Sequence, residues 1–167
     1  MKSFSYKGNT PSYDSSNFIA AGAKLIGSVT LGKNTNIWFN TVIRADVQSV
    51  TIGENVNIQD LTMVHVTDKY PTIIENNVTI GHSAIIHGAI IEKGSLIGMG
   101  AKILDGAIIG EESLVAAGSV VPPGKEYPAR SFIIGSPAKV KRALTEDEVA
   151  EYSNHYKSYV ELARSYF

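Results

Sequence analysis

The sequence predicts an all-β fold, a parallel β-helix that is followed by one α-helix at the C-terminus. The main observation is a large aliphatic residue at nearly every sixth position over most of the chain. These positions are Ile19, Leu25, Leu31, Ile37, Ile43, Ile52, Ile58, Val64, Ile74, Ile80, Ile86, Ile91, Ile97, Ile103, Ile109, Val115 and Val121. Six residues is not a helical period, and the segments are rich in glycine and β-branched residues, so short strands and tight turns suit them better. A hexapeptide repeat is typical of a β-helix, in which each strand is one wall of a coil. The alternative, an ordinary sandwich of short strands, would not need so constant a spacing.

A single domain is expected over residues 1–167, because this length is within the range of one ordinary domain. The β-helix is expected over residues 12–124 and a connection punctuated by proline and glycine over 125–144. The last segment, 145–166, is predicted to be helical.

Two features predict the C-terminal helix. Thr145 and Glu148 form a T-x-x-E capping box, which is typical of a helix N-terminus. An apolar stripe at helical spacing follows the box and consists of Val149, Tyr152, Tyr156, Tyr159, Val160 and Ala163. A helix of about twenty residues is roughly 30 Å long, and six coils at about 4.8 Å each span nearly the same distance. The helix is therefore expected to pack along the side of the β-helix.

The composition excludes several classes of function. The chain has 15 basic and 16 acidic side chains and a net charge of −1, which argues against a nucleic-acid-binding surface or a polybasic membrane anchor. Without cysteine there are no disulfides and no thiolate metal sites. No apolar stretch approaches the roughly 18 residues of a membrane span, and the first residues lack the apolar core of a signal peptide. We therefore expect a soluble, cytoplasmic protein that binds neither nucleic acid nor membranes.

The repeat resembles that of the hexapeptide-repeat superfamily of left-handed β-helices. The resemblance implies three strands per coil, a triangular cross-section and a left-handed coil. With three strands per coil, Ile43, Val64 and Ile86 fall on one wall in successive coils. Side chains alternate across a strand, so His65 and His87, which follow the second and third of these residues, should point outward. The two histidines should stack about 4.8 Å apart at the backbone.

His82 belongs to a different wall, where it shares a column with Asp60. Within one chain it is poorly placed to join His65 and His87, but a neighbouring subunit in a closed threefold ring would bring it to them. Three neutral imidazoles with one position left for water are typical of a catalytic zinc site. The alternative is that all three are ordinary surface or hydrogen-bonding histidines, and their compatible phases favour the metal site. His155, on the terminal helix, lies outside this pattern and is predicted to be a surface residue.

A longer motif carries a closer resemblance. The segment NIWFNTVIRADVQSVTIGENVNIQD over residues 36–60 is followed by His65 and then by His82 and His87 in H-x4-H spacing. From Phe18 through the terminal helix, the sequence resembles a gamma-class carbonic anhydrase. The resemblance implies a homotrimer with a metal site between subunits and the reversible hydration of CO2 to bicarbonate by a metal-bound hydroxide. Imidazole ligands suit Zn²⁺, and also Fe²⁺ or Co²⁺, so the sequence does not select the metal.

The resemblance also implies the ligands and their closest partner. His65, His82 and His87 would hold the metal, with His82 donated by the neighbouring subunit. Gln59 would hydrogen-bond the metal-bound water or bicarbonate.

Five further residues receive roles from the same resemblance. Arg44 and Asp46 would form an ion pair across the subunit interface, and Asp60 would complete that network. Asn57 would help to shape the pocket, and Tyr159 from the terminal helix would line it. Ion pairs of this kind often fix the geometry of an assembly rather than its chemistry.

The sequence departs from the most active members of this family at two places. These members carry a glutamate directly after the R-x-D motif, where this chain has Val47, which the repeat predicts to face the core. They also carry an acidic loop after the first histidine, where this chain has only VTDKYPT with Asp68 as its sole acid. The chain therefore resembles the short branch of the family that lacks the loop, and weak CO2 hydration is expected.

Two other functions remain open from the sequence. The segment IGSPAK over residues 134–139 matches one that is common in hexapeptide acyltransferases, in which one histidine serves as a general base. A transferase acting on CoA thioesters is therefore the first alternative. The second is a non-catalytic trimer that binds metal or acts as a scaffold.

Overall fold

The repeat folds as a parallel β-solenoid of about seven turns with a helical C-terminal segment, which confirms the predicted left-handed β-helix of hexapeptide repeats. The computed structural model describes residues 2–166. The strands are β1 (Ser3–Phe4), β2 (Phe18–Ile19), β3 (Lys24–Leu31), β4 (Asn36–Ile37), β5 (Val42–Ile52), β6 (Asn57–Ile58), β7 (Met63–His65), β8 (Thr72–Ile74), β9 (Thr79–Ile80), β10 (Ile85–His87), β11 (Ile90–Ile91), β12 (Leu96–Ile97), β13 (Lys102–Ile103), β14 (Ile108–Ile109), β15 (Leu114–Val115), β16 (Val120–Val121), β17 (Glu126–Tyr127), β18 (Ser131–Gly135) and β19 (Ala138–Ala143). The helices are α1 (Glu146–Ser153) and α2 (Tyr156–Arg164).

The strands form three walls. The first wall contains β7, β10, β13 and β16 with the first parts of β3 and β5, and the second contains β8, β11, β14 and β17 with the later parts of β3 and β5. The third wall runs from β2 through β4, β6, β9, β12 and β15 to β18. On the first wall Ile43 pairs with Val64, and Val64 with Ile86, so these three residues stack as predicted.

The repeat positions fill the interior. All of the aliphatic positions that define the six-residue period are buried, and most have no exposed surface. Short strands pair with the coils above and below them, so their backbone groups are satisfied while the aliphatic side chains pack inside.

The prediction that Val47 faces the core is wrong. The residue is 59% exposed, because the six-residue phase is interrupted inside β5. Gly27 pairs with Ala45 while Val29 pairs with Val50, so the residues from Asp46 to Ser49 lie opposite a single residue of β3 and bulge outward at the corner.

The segment 125–144, expected as a connection, carries strands instead. β17 and β18 continue the repeat, with Tyr127 and Ile133 buried in the interior. β19 then folds back antiparallel on β18. The hydroxyl of Tyr127 donates a hydrogen bond to the carbonyl of Ala138 at 2.8 Å, which ties the hairpin to the last coil.

The C-terminal segment is helical, and its start is confirmed. Thr145 caps α1, its hydroxyl accepting from the backbone of Glu148 while the Glu148 carboxylate accepts from the backbone of Thr145. The single helix predicted over 145–166 is interrupted at Asn154, which ends α1. Asn154 is a weak helix former, and the backbone N–H of His155 bonds to the carbonyl of Tyr152 three residues back, so the helical hydrogen-bond pattern breaks there.

α2 packs on the third wall of the solenoid through aromatic side chains. Trp38 lies 5.6 Å from Tyr159 and 5.1 Å from Phe18, measured between ring centroids. Ala163 is buried in the same cluster. Within residues 2–166, neither helix is long and apolar enough to cross a membrane.

Candidate metal centre

His65 and His87 stack on adjacent coils of the first wall, as predicted. They are direct partners in the parallel pairing of β7 with β10. Their ring centroids are 5.0 Å apart, and Nδ1 of His65 lies 3.0 Å from Nε2 of His87. Two residues that are distant in sequence thus present ring nitrogens to the same point on the surface.

Carboxylates hold both rings from the outside. Nε2 of His65 lies 3.0 Å from Asp46 and Nδ1 of His87 lies 2.5 Å from Asp105. Asp46 also accepts a hydrogen bond from Arg44. Partial burial acts to raise the pKa of Asp46, but its hydrogen bonds with His65 and Arg44 outweigh this effect and lower the pKa below its ordinary value. The result is a continuous column from Arg44 to Asp105 along the solenoid axis.

Arg44 forms an ion pair with Asp46 of the same chain, and the pair across the subunit interface stays a prediction. Asp60, expected in the same network, bonds to His82 on another wall, with its carboxylate 2.8 Å from Nδ1. The bulge in β5 begins at Asp46, whose carboxylate lies 3.0 Å from Nε2 of His65.

His82 follows β9 on the third wall and lies in a separate cleft. The cleft has a volume of about 320 Å³, and its lining includes Gln59, His82, Met99, His155 and Tyr159. Within residues 2–166, no three histidine or acidic side chains of one chain come together to hold a metal ion. The joining of His82 to the other two histidines across a subunit interface stays a prediction.

A buried hydrogen-bond chain orients Gln59. Its amide nitrogen donates to Oδ1 of Asn57 at 3.0 Å, and the Asn57 amide donates to the hydroxyl of Thr79 at 2.8 Å. Gln59 is 4% exposed and Asn57 is fully buried. Because the Gln59 nitrogen is engaged, the direction of its carboxamide in the cleft is fixed.

Tyr159 and His155 bring α2 to the same cleft. Burial, together with the nearby negative charge of Asp60, raises the pKa of Tyr159, which stays protonated at neutral pH. The ring of His155 is 5.7 Å from that of Tyr159. The prediction that His155 is a surface residue outside the site is therefore incomplete, because it is exposed and also lines the cleft.

Sequence reasoning missed Asp105 as well as the cleft position of His155. The repeat does contain a signal for Asp105. Ile103 pairs with Ile86 on the next coil of the same wall, and Asp105 lies two residues after Ile103. The sequence contains no such signal for His155, because the position of His155 in the cleft depends on the helix break at Asn154.

The three imidazoles fit a divalent metal. Each has one ring nitrogen held by a carboxylate, and this arrangement leaves the other nitrogen as a lone-pair donor. Two nitrogens bound to one tetrahedral zinc ion at about 2.0–2.1 Å would be roughly 3.3 Å apart, close to the 3.0 Å between His65 and His87. With both of these nitrogens unprotonated, a cation between the rings would relieve the repulsion of their lone pairs, whereas a proton on either one would make the contact a hydrogen bond.

Similar proteins give the chain a family. The family described as bacterial transferase hexapeptide (six repeats) matches residues 88–123, and the hexapeptide repeat of succinyl-transferase matches residues 71–104. A carbonic anhydrase of Geobacillus kaustophilus is 49% identical over 163 residues, covering 98% of this chain and 90% of that protein. The mitochondrial gamma carbonic anhydrase 2 of Arabidopsis thaliana is 41% identical over 161 residues, covering 93% of this chain and 58% of that protein. The chain belongs to the gamma carbonic anhydrase-like family of hexapeptide-repeat proteins.

Solved structures of this family's fold agree over the whole length. A crystal structure from Bacillus cereus, of a protein provisionally named an acetyltransferase, is 44% identical and superposes with a TM-score of 0.97, covering 99% of this chain and 96% of that one. Relatives of this gamma carbonic anhydrase-like chain thus include proteins named carbonic anhydrase and proteins named transferase. The choice between these two activities depends on the residues of the site in this chain.

Proposed function

We propose that the protein is a gamma-type carbonic anhydrase-like lyase that converts CO2 and water reversibly to bicarbonate. It acts as a homotrimer with a divalent metal, Zn²⁺ or alternatively Fe²⁺ or Co²⁺, between subunits. One observation carries the proposal: His65 and His87 converge on the first wall, while His82 is held in the same carboxylate-bound manner on the third wall. This distribution suits a site shared by two subunits.

A divalent metal held by His65, His82 and His87 would supply Lewis acidity, which would lower the pKa of a water molecule toward neutrality. The protein's own residues bind and orient the reactants. Gln59, held by Asn57, offers a fixed hydrogen bond to bicarbonate or water. The apolar side chains of Leu96 and Met99 line the same cleft and suit CO2, which is itself apolar. His155 is the other imidazole beside His82 in this cleft, and its exposed ring offers a released proton a route to solvent.

A stopped-flow CO2 assay on the zinc-loaded protein tests the activity. Hydration by the wild type should exceed that by His87→Ala, and equal rates for the two would remove the catalytic claim. The rate is expected to be low, because the link from Val66 to Thr72 holds only the exposed Asp68 as an acid.

Mixed assemblies test the shared site. His82→Ala and His87→Ala subunits are each expected to be inactive alone. In a co-expressed 1:1 mixture, about a quarter of the interfaces in a cyclic trimer pair an intact His65–His87 wall with an intact His82, so activity and zinc content should return to that fraction. A mixture as inactive as its parents would show that all three histidines act within one subunit or not at all.

An acyltransferase is the second candidate, and a cleft near the IGSPAK segment favours it. This cleft of about 320 Å³ is lined by Pro122, Tyr127, Pro137 and Ala138 among others. None of the chain's histidines is among its described lining residues, so a general base would have to come from elsewhere. Saturable acetyl-CoA binding by protein that holds no metal after dialysis would favour the transferase. A trimer that retains metal without turnover would favour a binding or scaffold role.

A further inference from the structure

Asp105 ends the column of side chains that runs along the first wall. Its Oδ1 lies 2.5 Å from Nδ1 of His87. The backbone around it is fixed: the carbonyl of Asp105 accepts from the N–H of Gly124 at 2.8 Å, and Gly106 donates to the carbonyl of Gly88 at 2.6 Å. The carboxylate is therefore presented to His87 from a rigid corner of the solenoid.

Asp105 differs from the carboxylate at the other end of the column. Asp46 is shared between His65 and Arg44, whereas within residues 2–166 the only ion-pair partner of Asp105 is His87. Removing Asp105 therefore changes the environment of one imidazole and leaves the other ion pairs in place.

The contact decides which nitrogen of His87 is free. A neutral imidazole carries one proton, and an acceptor at Nδ1 holds it there, so that Nε2 keeps its lone pair. Nε2 is also the atom that faces His65. Without the carboxylate, no other side chain within residues 2–166 holds the proton at Nδ1 of His87.

We propose that Asp105 is a positioning residue that holds His87 with Nε2 directed at the metal. The inference deepens the proposed function and depends on its metal site, but not on CO2 being the substrate. Carboxylate partners of ligating histidines typically account for about 10- to 100-fold in metal affinity. A comparable loss is expected when Asp105 is removed.

Competition with a zinc chelator, measured on the full-length assembled protein, provides the test. Asp105→Ala should bind zinc about 10- to 100-fold more weakly, and Asp105→Asn, which keeps the shape of the corner, should also bind more weakly. Asp147→Asn, at an exposed carboxylate in the first turn of α1, is the matched control and should bind zinc like the wild type. In long-range ¹H–¹⁵N NMR spectra, His87 should be the Nδ1–H tautomer in the wild type and lose this single form in the variants.

The outcomes separate this inference from the proposed function. Zinc affinity within twofold of the wild type in both variants, with the His87 tautomer unchanged, would overturn the role of Asp105. If Asp105→Ala does not fold, as judged by thermal unfolding after chelator treatment, Asp105→Asn alone decides. Weakened zinc binding in the variants of a protein without CO2 hydration would support Asp105 while refuting the anhydrase. A wild-type protein that binds none of Zn²⁺, Fe²⁺ and Co²⁺ would refute both.

Discussion

Replacing Ile86 by alanine tests whether the packed interior places the metal ligand that follows it. Ile86 has no exposed surface and precedes His87 directly. Its strand pairs with Val64 on one side and Ile103 on the other. Ile109 is the matched control, because it is equally buried but lies on the second wall, where no predicted metal ligand follows it.

The expected loss of stability is the same for both substitutions. Isoleucine to alanine in a core typically costs about 2–5 kcal/mol, and the upper half of this range applies because coils on both sides prevent the cavity from collapsing. For a chain of this size each kcal/mol lowers the unfolding midpoint by about 2–4 °C. Both Ile86→Ala and Ile109→Ala should therefore unfold roughly 10 °C below the wild type after chelator treatment.

Zinc affinity should separate the two variants. The cavity in Ile86→Ala loosens the strand that carries His87, so its zinc affinity should fall about tenfold, whereas Ile109→Ala should keep wild-type affinity. Thermal unfolding by circular dichroism and chelator competition measure the two quantities. Equal zinc affinity in both variants, at equal loss of stability, would refute the reasoning that core packing at Ile86 sets the ligand position.

Three further substitutions test other features of the structure. Val47→Glu should change the free energy of unfolding by no more than about 0.5 kcal/mol, because the side chain is exposed. It should also raise the CO2 hydration rate, because it adds a carboxylate beside the R-x-D motif. A loss of stability well above this value would contradict the outward bulge. Trp38→Ala should cost about 3–5 kcal/mol and expose α2 to limited proteolysis, since α2 has no side-chain N-cap and depends on its aromatic contacts. Glu148→Gln tests the paired hydrogen bonds from Arg142, which lower the pKa of Glu148 from 4.5 to about 2. Because a lowered carboxyl pKa stabilises the fold above the unfolded value, the difference in unfolding midpoint from the wild type should be largest above pH 4.5 and vanish toward pH 2.

The sequence predicts the interior of the solenoid well because one rule repeats. Each inward aliphatic side chain packs into the same triangular core, so the same spacing recurs in every coil. The column of Ile43, Val64 and Ile86 is then found by counting three strands per coil. The stacking of His65 on His87 is predictable for the same reason, since it needs only the register of adjacent coils.

The errors occur where the repeat is interrupted. The outward position of Val47 depends on four residues of β5 lying opposite one residue of β3, which the period of either segment does not reveal. The sequence predicts a connection after residue 125, where the structure has strands, because proline and glycine mask the phase of Tyr127 and Ile133. The helix break at Asn154 is also local. The apolar stripe continues on both sides of it and therefore predicts one uninterrupted helix.

The partners of the imidazoles lie between these two cases. A carboxylate can reach a ring on the next coil from different positions after the inward residue, as Asp105 does for His87 and Asp46 does for His65. The column is thus predictable, whereas the hydrogen bond is not, because the corner geometry decides which atoms meet. Each carboxylate holds one ring nitrogen and so determines which nitrogen stays free to bind a metal. The hydrogen bonds that the sequence period does not predict are therefore the ones that make the three histidines suitable as metal ligands.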